Sequence, residues 1–218
     1  MAQTTYKDLL DAGTHFGHLT RKWDPKMAPY IFMEKNGIHI IDLNKTLVSL
    51  DYAATAIRNI AKSGRKVMFV ATKKQAQEIV TTEAERLKMP FVTDRWLGGM
   101  LTNFATVRKS LKKMATIDKM VKENTAYAAL AKREKLMMSR ERAKLDRVLG
   151  GIADLGRLPA ALFIVDVKRE HIAVKEAHKL GIPVFAICDT NSNPELVQFP
   201  IPANDDASKS IQLIVSVI

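Results

Sequence analysis

Two short apolar runs, Ala161 to Val165 and Val184 to Ile187, flank a segment with helical spacing. The runs contain β-branched and aromatic residues without polar alternation, which is typical of strands buried on both faces of a parallel sheet. Between them, apolar residues recur every three or four positions from Ile172 to Leu180, and Gly181 stands where a helix would end. The pattern predicts a strand–helix–strand unit, and therefore an α/β domain with helices on both faces of its sheet.

The same pattern predicts three further buried strands, at Val67 to Ala71, at Phe91 with Val92, and at Gln198 to Ile201. Helices are expected after the first and the last of these strands, capped by Thr72 and Asn204. Strands alternating with helices favour a flavodoxin-like, doubly wound, five-stranded parallel sheet with the strand order 2-1-3-4-5.

Smaller elements are predicted before this sheet. Thr5 can cap a short helix, and the Gly-, Pro- and His-rich stretch after it is expected to be an ordered loop that begins at Gly13. Tyr30 to Phe32 and Ile38 to Ile41 predict a β-hairpin. A long amphipathic helix capped by Asn44 should follow.

Between residues 104 and 149 the apolar spacing becomes that of a coiled-coil seam. The seam positions are Phe104, Val107, Leu111, Met114, Ile117 and Val121 in a first helix and Leu136, Met138, Ala143, Leu145 and Leu149 in a second. The run breaks near Glu123 to Ala128, and two antiparallel helices of about 20 residues would project roughly 30 Å. The sequence thus predicts a globular α/β domain of residues 1–103 and 150–218 and an inserted helical hairpin of residues 104–149, called the arm below.

The charge of the chain is concentrated in the arm. The net charge is +11, and residues 104–149 carry 13 basic and 5 acidic side chains, whereas residues 150–218 carry 6 and 8. Charge on a helical hairpin is usually only a solvated surface, but a surplus of one sign in so short a segment indicates a polyanionic partner, most often nucleic acid.

The composition excludes several classes of protein. Cys188 is the single cysteine and lies in an apolar strand, so a disulfide framework is excluded and a buried thiol is expected. No stretch approaches the roughly 20 apolar residues of a membrane span, and the amino terminus has neither a secretion signal nor a transit peptide. We expect a soluble, cytoplasmic protein with no membrane partner, and the sequence leaves open whether the natural chain continues past Ile218.

Phosphate-binding glycine motifs are missing from the sequence. Neither GxGxxG nor GxxxxGK occurs, and the first strand of the sheet is followed by Thr72, Lys73 and Lys74 instead of a glycine-rich turn. No nucleophile stands beside a plausible base. We therefore expect a protein that is not an enzyme and that has no cofactor.

Polar residues near the ends of the last strands suggest the alternative function. Asp166, Asp189, Asn191, Asn193, Asp205 and Asp206 should gather at one edge of the sheet. Their oxygens could hold Mg²⁺, with Asp189 and Asp205 as ligands of a metal-dependent or small-ligand-binding α/β protein. An Asx turn and a helix cap explain the same residues without a metal, and we favour that interpretation.

His15 and His18 have a metal-like spacing, but no Cys or carboxylate near them in the sequence completes a ligand set. Histidines with satisfied hydrogen bonds or with RNA contacts are favoured over a zinc site.

Basic residues beside aromatic or glycine residues predict RNA contacts. One cluster lies in the loop near Trp23. In RWLGGMLTN, Arg95 to Asn103, the glycine pair is interpreted either as a turn pressed on RNA or as a hinge whose Trp96, Leu97 and Leu101 seat the arm. The candidate RNA-binding residues are Arg21, Lys22, Trp23, Lys26, Lys73, Lys74, Arg95, Trp96, Asn103, Arg108, Lys109, Lys112 and Lys113. The small apolar face of the first helix, formed by Tyr6, Leu9 and Leu10, is predicted to dock a protein partner.

Several motifs together resemble a known family. GTHFGH at Gly13 to His18, RKWDPKMAPYIF, RWLGGMLTN, LPAALFIVD, GIPVFAICDTNSNP and PANDDA occur in order over nearly the whole chain. The chain is therefore similar to the bacterial type of small-subunit ribosomal protein S2.

The resemblance implies a flavodoxin-like sheet with a protruding helical hairpin and a structural role in translation. It implies binding to small-subunit ribosomal RNA between the head and body of the subunit, beside other small-subunit proteins, within cytoplasmic ribosomes. It also implies that the chain helps to seat the large first protein of that subunit, for which the amino-terminal helix is a plausible contact.

Overall fold

The computed structural model describes residues 4–123, 127 and 130–218. Most of the predicted break in the arm near Glu123 to Ala128 lies outside the described residues. In chain order, the strands are β1 (Phe16–Leu19), β2 (Ile31–Lys35), β3 (Ile38–Ile41), β4 (Val67–Val70), β5 (Phe91–Val92), β6 (Ala161–Val165), β7 (Val184–Cys188) and β8 (Phe199–Pro202). The main α-helices are α1 (Tyr6–Asp11), α2 (Leu43–Lys62), α3 (Lys74–Arg86), α4 (Phe104–Glu123), α5 (Lys132–Leu149), α6 (His171–Lys179) and α7 (Ser208–Val217).

Five parallel strands form the central sheet in the order β5-β4-β6-β7-β8. In order of appearance within this sheet, the arrangement is the 2-1-3-4-5 order that the sequence predicts, so the α/β fold is confirmed. Every residue of β4, β6 and β7 is buried. The absence of polar alternation in these strands therefore reflects burial on both faces of the sheet.

Alternate residues of the strands point into two separate cores. Phe69, Phe163 and Phe185 face one core, which α2, α3 and α7 cover. Their neighbours in the strands, such as Leu162 and Ala186, face the other core, which contains apolar residues of α6 and of the base of the arm. One face of the sheet is thus covered partly by the arm itself.

A separate three-stranded antiparallel sheet in the order β1-β3-β2 precedes the parallel one. The hairpin of β2 and β3 is confirmed. The expectation of a loop after Gly13 was wrong at Phe16–Leu19, because β1 pairs with β3 through Phe16↔Ile40 and Leu19↔Ile38. Gly17 of β1 approaches Thr190 so closely that an added Cβ would lie 2.6 Å from its Cγ2 atom, which attaches this small sheet to the large one.

The caps of three helices differ from those expected. Asp42, not Asn44, caps α2, and its carboxylate accepts a hydrogen bond from the Asn44 amide. Thr72 caps no helix, since its amide and hydroxyl both donate to Glu170. Asn204 precedes α7 by several residues, and its side-chain oxygen accepts from two amides of the turn before that helix.

The two helices of the arm pack through a narrow apolar seam. Leu111, Met114 and Ile117 of α4 are buried, and Leu145 of α5 packs against the same core. The predicted seam is too long at its outer part. Val121 and Leu136 are 47% and 52% exposed.

Ala143 is also exposed, because it lies off the contact face of α5. Since Leu111 and Met114 belong to the core of the body, the boundary of an independent arm at residue 104 stays a prediction. None of the described helices is both long enough and apolar enough to cross a membrane.

A glycine at the base of the arm is expected to be essential for packing. A Cβ added at Gly151 would lie 2.3 Å from the carbonyl oxygen of Phe91 in β5, a backbone atom that cannot move away cheaply. Gly151→Ala should lower the free energy of unfolding by about 1–3 kcal/mol, as overpacking usually does. Urea titration followed by circular dichroism measures the change.

Gly156→Ala is the matched control, because no atom lies within 4 Å of a Cβ added there. It should change stability by less than about 0.5 kcal/mol. Equal stabilities of the two variants would contradict the close contact between Gly151 and β5.

Candidate RNA interface and acidic cluster

The outer face of α4 carries exposed cations. Arg108, Lys109 and Lys112 are all exposed, and helical geometry places Lys109 and Lys112 away from the buried seam of Leu111 and Met114, with Arg108 at its flank. Among the described residues, no acidic side chain forms an ion pair with these three cations. Their charges therefore face solvent and are available to phosphate groups.

Two other cations of the arm form ion pairs with acidic residues of the arm itself. Lys113 forms an ion pair with Glu141, so it joins α4 to α5. Arg142 of α5 lies 2.9 Å from Asp118 and 2.9 Å from Asp146. The inclusion of Lys113 with the RNA contacts is therefore not supported by its position, which is on the flank that faces α5.

The loop with Arg21, Lys22 and Trp23 is exposed and held against the parallel sheet. The Trp23 side chain is 40% exposed, and its ring lies 5.1 Å from that of His39 in β3. The next residue, Asp24, donates its amide to the carbonyl of Thr190 at 2.8 Å. The loop thus presents two cations and an aromatic face from a fixed position.

Lys26 lies in the same loop and has a partner. Its ammonium is 2.9 Å from the Glu195 carboxylate, and both side chains are more than half exposed. Salt and solvent screen such a surface pair, so Lys26 can still exchange Glu195 for a phosphate.

The segment RWLGGMLTN is partly buried against the body. Trp96 is buried and its Nε1 atom donates to Glu176, and Leu101 is buried too, whereas Leu97 is exposed. This burial favours a role of Trp96 and Leu101 in seating the arm, and it gives no support to the predicted RNA contact of Trp96. Arg95 and Asn103 are exposed.

The two lysines at the start of α3 differ in burial. Lys74 is exposed, whereas Lys73 is buried with its ammonium 2.6 Å from Asp205 and 2.6 Å from Asp206. Burial opposes the charge of Lys73, but the two carboxylates outweigh it and raise its pKa. The burial of Lys73 gives no support to its predicted RNA contact, because its charge is already paired inside the protein.

His18 belongs to the same acidic cluster. Its Nδ1 atom is 3.0 Å from Asp189, and its Nε2 atom is 3.4 Å from Asp206. The hydrogen bond to Asp189 raises the pKa of His18, although partial burial opposes it. Carboxylates do complete a ligand set for His18. They come from the carboxyl ends of β7 and β8, so inspection of nearby sequence missed them.

Asp205 lies at the centre of this cluster. Burial, followed by the charges of Asp189 and Asp166, raises the pKa of Asp205 to about 7. Its Oδ2 atom is buried without a hydrogen-bond partner among the described residues. Like charges brought together and removed from water account for the raised pKa.

Three of these side chains could hold a metal ion. One ligand atom from each of His18, Asp189 and Asp205 lies within 4.8 Å of the others. A set with an imidazole nitrogen suits a cation such as Zn²⁺ better than Mg²⁺, which prefers oxygen ligands.

The first helix exposes part of its apolar face. Thr5 caps α1 in a reciprocal arrangement with Asp8, as the sequence predicts for Thr5. Tyr6 and Leu10 are 48% and 43% exposed, but Leu9 is fully buried. A partner can therefore reach Tyr6 and Leu10, whereas Leu9 belongs to the core of this chain.

Phe32 of β2 is a candidate contact that the sequence analysis did not identify. Its side chain is 71% exposed, and its neighbour Met33 is 47% exposed. The pairing of β2 with β3 shifts register between Ile31 and Met33, and this irregularity leaves Phe32 outside the regular ladder. The sequence pattern predicted a hairpin strand at Tyr30 to Phe32 but not which of its side chains is exposed, so only the fold reveals the exposure.

Comparison with known proteins agrees with this architecture. A family model described as "Ribosomal protein S2" matches residues 9–218. The small ribosomal subunit protein uS2 of Cytophaga hutchinsonii is 73% identical over 213 residues, which are 98% of this chain and 84% of that protein. Proteins of the same name from Bacteroides thetaiotaomicron and Flavobacterium psychrophilum are 63% and 62% identical, over 99% and 97% of this chain and 77% and 79% of their own lengths. Because these matches extend over both the sheet domain and the arm, the chain belongs to the ribosomal protein S2 family.

Proposed function

We propose that this chain is a structural constituent of the small ribosomal subunit and binds the ribosomal RNA of that subunit. The observation that carries the proposal is the row of exposed cations on the outer face of α4, Arg108, Lys109 and Lys112, which have no acidic partner among the described residues. The names of the relatives, all small ribosomal subunit proteins, support the same role. A structural role in ribosomes is expected of the family, and it requires no catalytic group.

The binding works through charge and shape. Each cation that contacts a phosphate releases condensed counterions, which favours binding without reading base sequence. Folded RNA then selects the protein by the relative positions of its basic surfaces. The residues that we assign to the RNA surface are Arg21, Lys22, Trp23, Lys26, Lys74, Arg95, Asn103, Arg108, Lys109 and Lys112.

The alternative of a metal-dependent or small-ligand-binding α/β protein has little support. In doubly wound folds, ligands occupy the crevice at the carboxyl ends of the strands. Here the Lys73 side chain fills part of that crevice, between Asp166, Asp205 and Asp206. Membership of a ribosomal protein family favours the structural function.

Charge reversal on the arm tests the proposal. Lys109→Glu together with Lys112→Glu should reduce the affinity for small subunits depleted of this protein about 10- to 100-fold at low salt. The slope of log affinity against log salt should fall by about two, because two phosphate contacts are lost. Equilibrium binding to the depleted subunits at several salt concentrations measures both quantities.

Lys175→Glu with Lys179→Glu is the matched control, since both residues are exposed on α6 and the net charge changes equally. This control should keep most of the affinity and nearly the original slope. If the arm variant and the control behaved alike, the arm would have no specific role in RNA binding.

A neighbouring protein is proposed to bind the exposed face of α1, and the large first protein of the small subunit is the proposed partner. The support is the exposure of Tyr6 and Leu10, which form an apolar surface on a capped helix. Exposed apolar surface of this kind is typical of protein contacts.

Substitution of the two exposed residues tests this contact. Subunits carrying Tyr6→Ser with Leu10→Ser should retain this chain but lose most of the large first protein, as measured by quantitative mass spectrometry of purified subunits. Phe32→Ser serves as the comparison, because Phe32 is the more exposed apolar residue. Loss of the large protein only from the Phe32→Ser subunits would move the contact from α1 to the hairpin.

A bound divalent cation is a secondary proposal, supported by the unpartnered Oδ2 atom of Asp205 beside His18 and Asp189. The sequence suggested Mg²⁺ at Asp189 and Asp205, whereas the donor set favours Zn²⁺. Elemental analysis of the purified protein should find about one Zn²⁺ per chain, and much less in Asp205→Asn. Equal metal content in both proteins would remove this proposal and leave the RNA-binding function unaffected.

A further inference from the structure

The Glu176 carboxylate collects hydrogen bonds from the segment that leads into the arm. Its Oε1 atom accepts from the Gly99 amide at 2.7 Å and from Trp96 Nε1 at 3.2 Å. Its Oε2 atom accepts from the amides of Leu101 and Thr102 and from the Thr102 hydroxyl, each at 3.0 Å. Five donors from one short segment therefore converge on a single side chain of α6.

This carboxylate remains charged although it is buried. Burial acts to raise the pKa of Glu176, but the hydrogen bonds from Thr102, Leu101, Gly99 and Trp96 outweigh it and lower the pKa below its ordinary value. A charged acceptor makes stronger hydrogen bonds than a neutral one. The segment is thus held by the Glu176 carboxylate, for which no ion pair is found among the described residues.

The held segment passes directly into α4. Gly99 has φ +88, which a side chain would disfavour, and its carbonyl accepts from the Asn103 amide at 2.8 Å. The Asn103 side chain then accepts from the Thr106 hydroxyl in the first turn of α4. Only one turn separates the Glu176 contacts from the helix, so the direction of α4 depends on them.

The arm leaves the body at two bases, the segment before α4 and the end of α5. The contacts of the second base are mainly apolar. Leu149 at the end of α5 is buried, and Gly151 packs against the backbone of Phe91. Arg147 adds an exposed ion pair with Asp94 at 3.3 Å. The two bases and the packing of Leu111 and Met114 of α4 in the core of the body together define the direction of the arm, and the loss of the Glu176 contacts loosens the end at which α4 begins.

We propose that Glu176 is a positioning residue for RNA binding, which sets the direction in which the arm leaves the body. The proposal rests on the proposed function, because direction matters only if the arm contacts RNA. Glu176 itself lies under the segment and is only 8% exposed, so it would act through the segment and not by contact with RNA.

The direction of the arm can be measured without the ribosome. Spin labels at Arg133→Cys in α5 and Val48→Cys in α2 report the distance between arm and body, because both native side chains are exposed. The native Cys188 is fully buried and should not be labelled. Arg133 is about 24 Å along the helix from Leu149, so a tilt of about 10° moves it about 4 Å.

Glu176→Gln should broaden or shift this distance distribution, because its amide nitrogen meets N–H donors instead of accepting from them. It should also weaken binding to depleted subunits about tenfold. Glu78→Gln on the exposed surface of α3 is the matched control and should leave both quantities unchanged.

A double-mutant cycle separates positioning from general damage. In the background of Lys109→Glu with Lys112→Glu, Glu176→Gln should cost little further affinity, because it acts through the arm. An equal cost in both backgrounds would overturn the proposal, as would an unchanged distance distribution in Glu176→Gln. Failure of the proposed function would appear separately, as a charge-reversed arm that binds normally.

If Glu176→Gln does not fold, Thr102→Val carries the same test. This change removes one of the five donors, the Thr102 hydroxyl, from an exposed residue and keeps the backbone contacts. It should produce a smaller change of the distance distribution in the same direction. A distribution identical to that of the wild type would overturn the positioning role.

Discussion

The parallel sheet must be covered on both faces, because parallel strands such as β6 and β7 have no residue that tolerates solvent. Helices α2, α3 and α7 cover one face, and α6 with the base of the arm covers the other. The arm is therefore not simply appended to a finished domain. Leu111 and Met114 complete the core under it, so the helix that carries the exposed cations also stabilises the body.

The sheet also determines where charge can be used. The carboxyl ends of neighbouring parallel strands meet at one edge, which brings Asp166, Asp189 and Asp205 together although they are far apart in sequence. Their repulsion in a buried site is reduced by Lys73, whose ammonium is 2.6 Å from Asp205. Arg108, Lys109 and Lys112 of α4 are exposed and pair with no buried carboxylate of the described residues, so their charge stays available for phosphates. Buried and exposed lysines thus have different roles, because a lysine removed from water needs carboxylate partners and an exposed one does not.

Glu176 connects these two parts of the molecule. It lies on α6, a helix that covers the sheet, and its carboxylate binds the segment from which α4 begins. A rigid body can position an arm of this length only if its base is fixed, because a small rotation at the base becomes a large displacement at the far end. Hydrogen bonds to a charged carboxylate are short and directional, so they restrict the orientation of the segment that they hold.

The five parallel strands, their order, the hairpin of β2 and β3 and the two helices of the arm could all be predicted from the amino-acid sequence. Apolar periodicity and the positions of glycines are local properties, so they can be recognised without knowledge of the fold. The burial of Lys73 and Trp96, the exposure of Phe32 and the contact of His18 with carboxylates depend on the tertiary structure and could not be predicted in this way. The chemical nature of each side chain is known from the sequence. Its environment depends on which distant segment packs beside it, and the fold determines that neighbour.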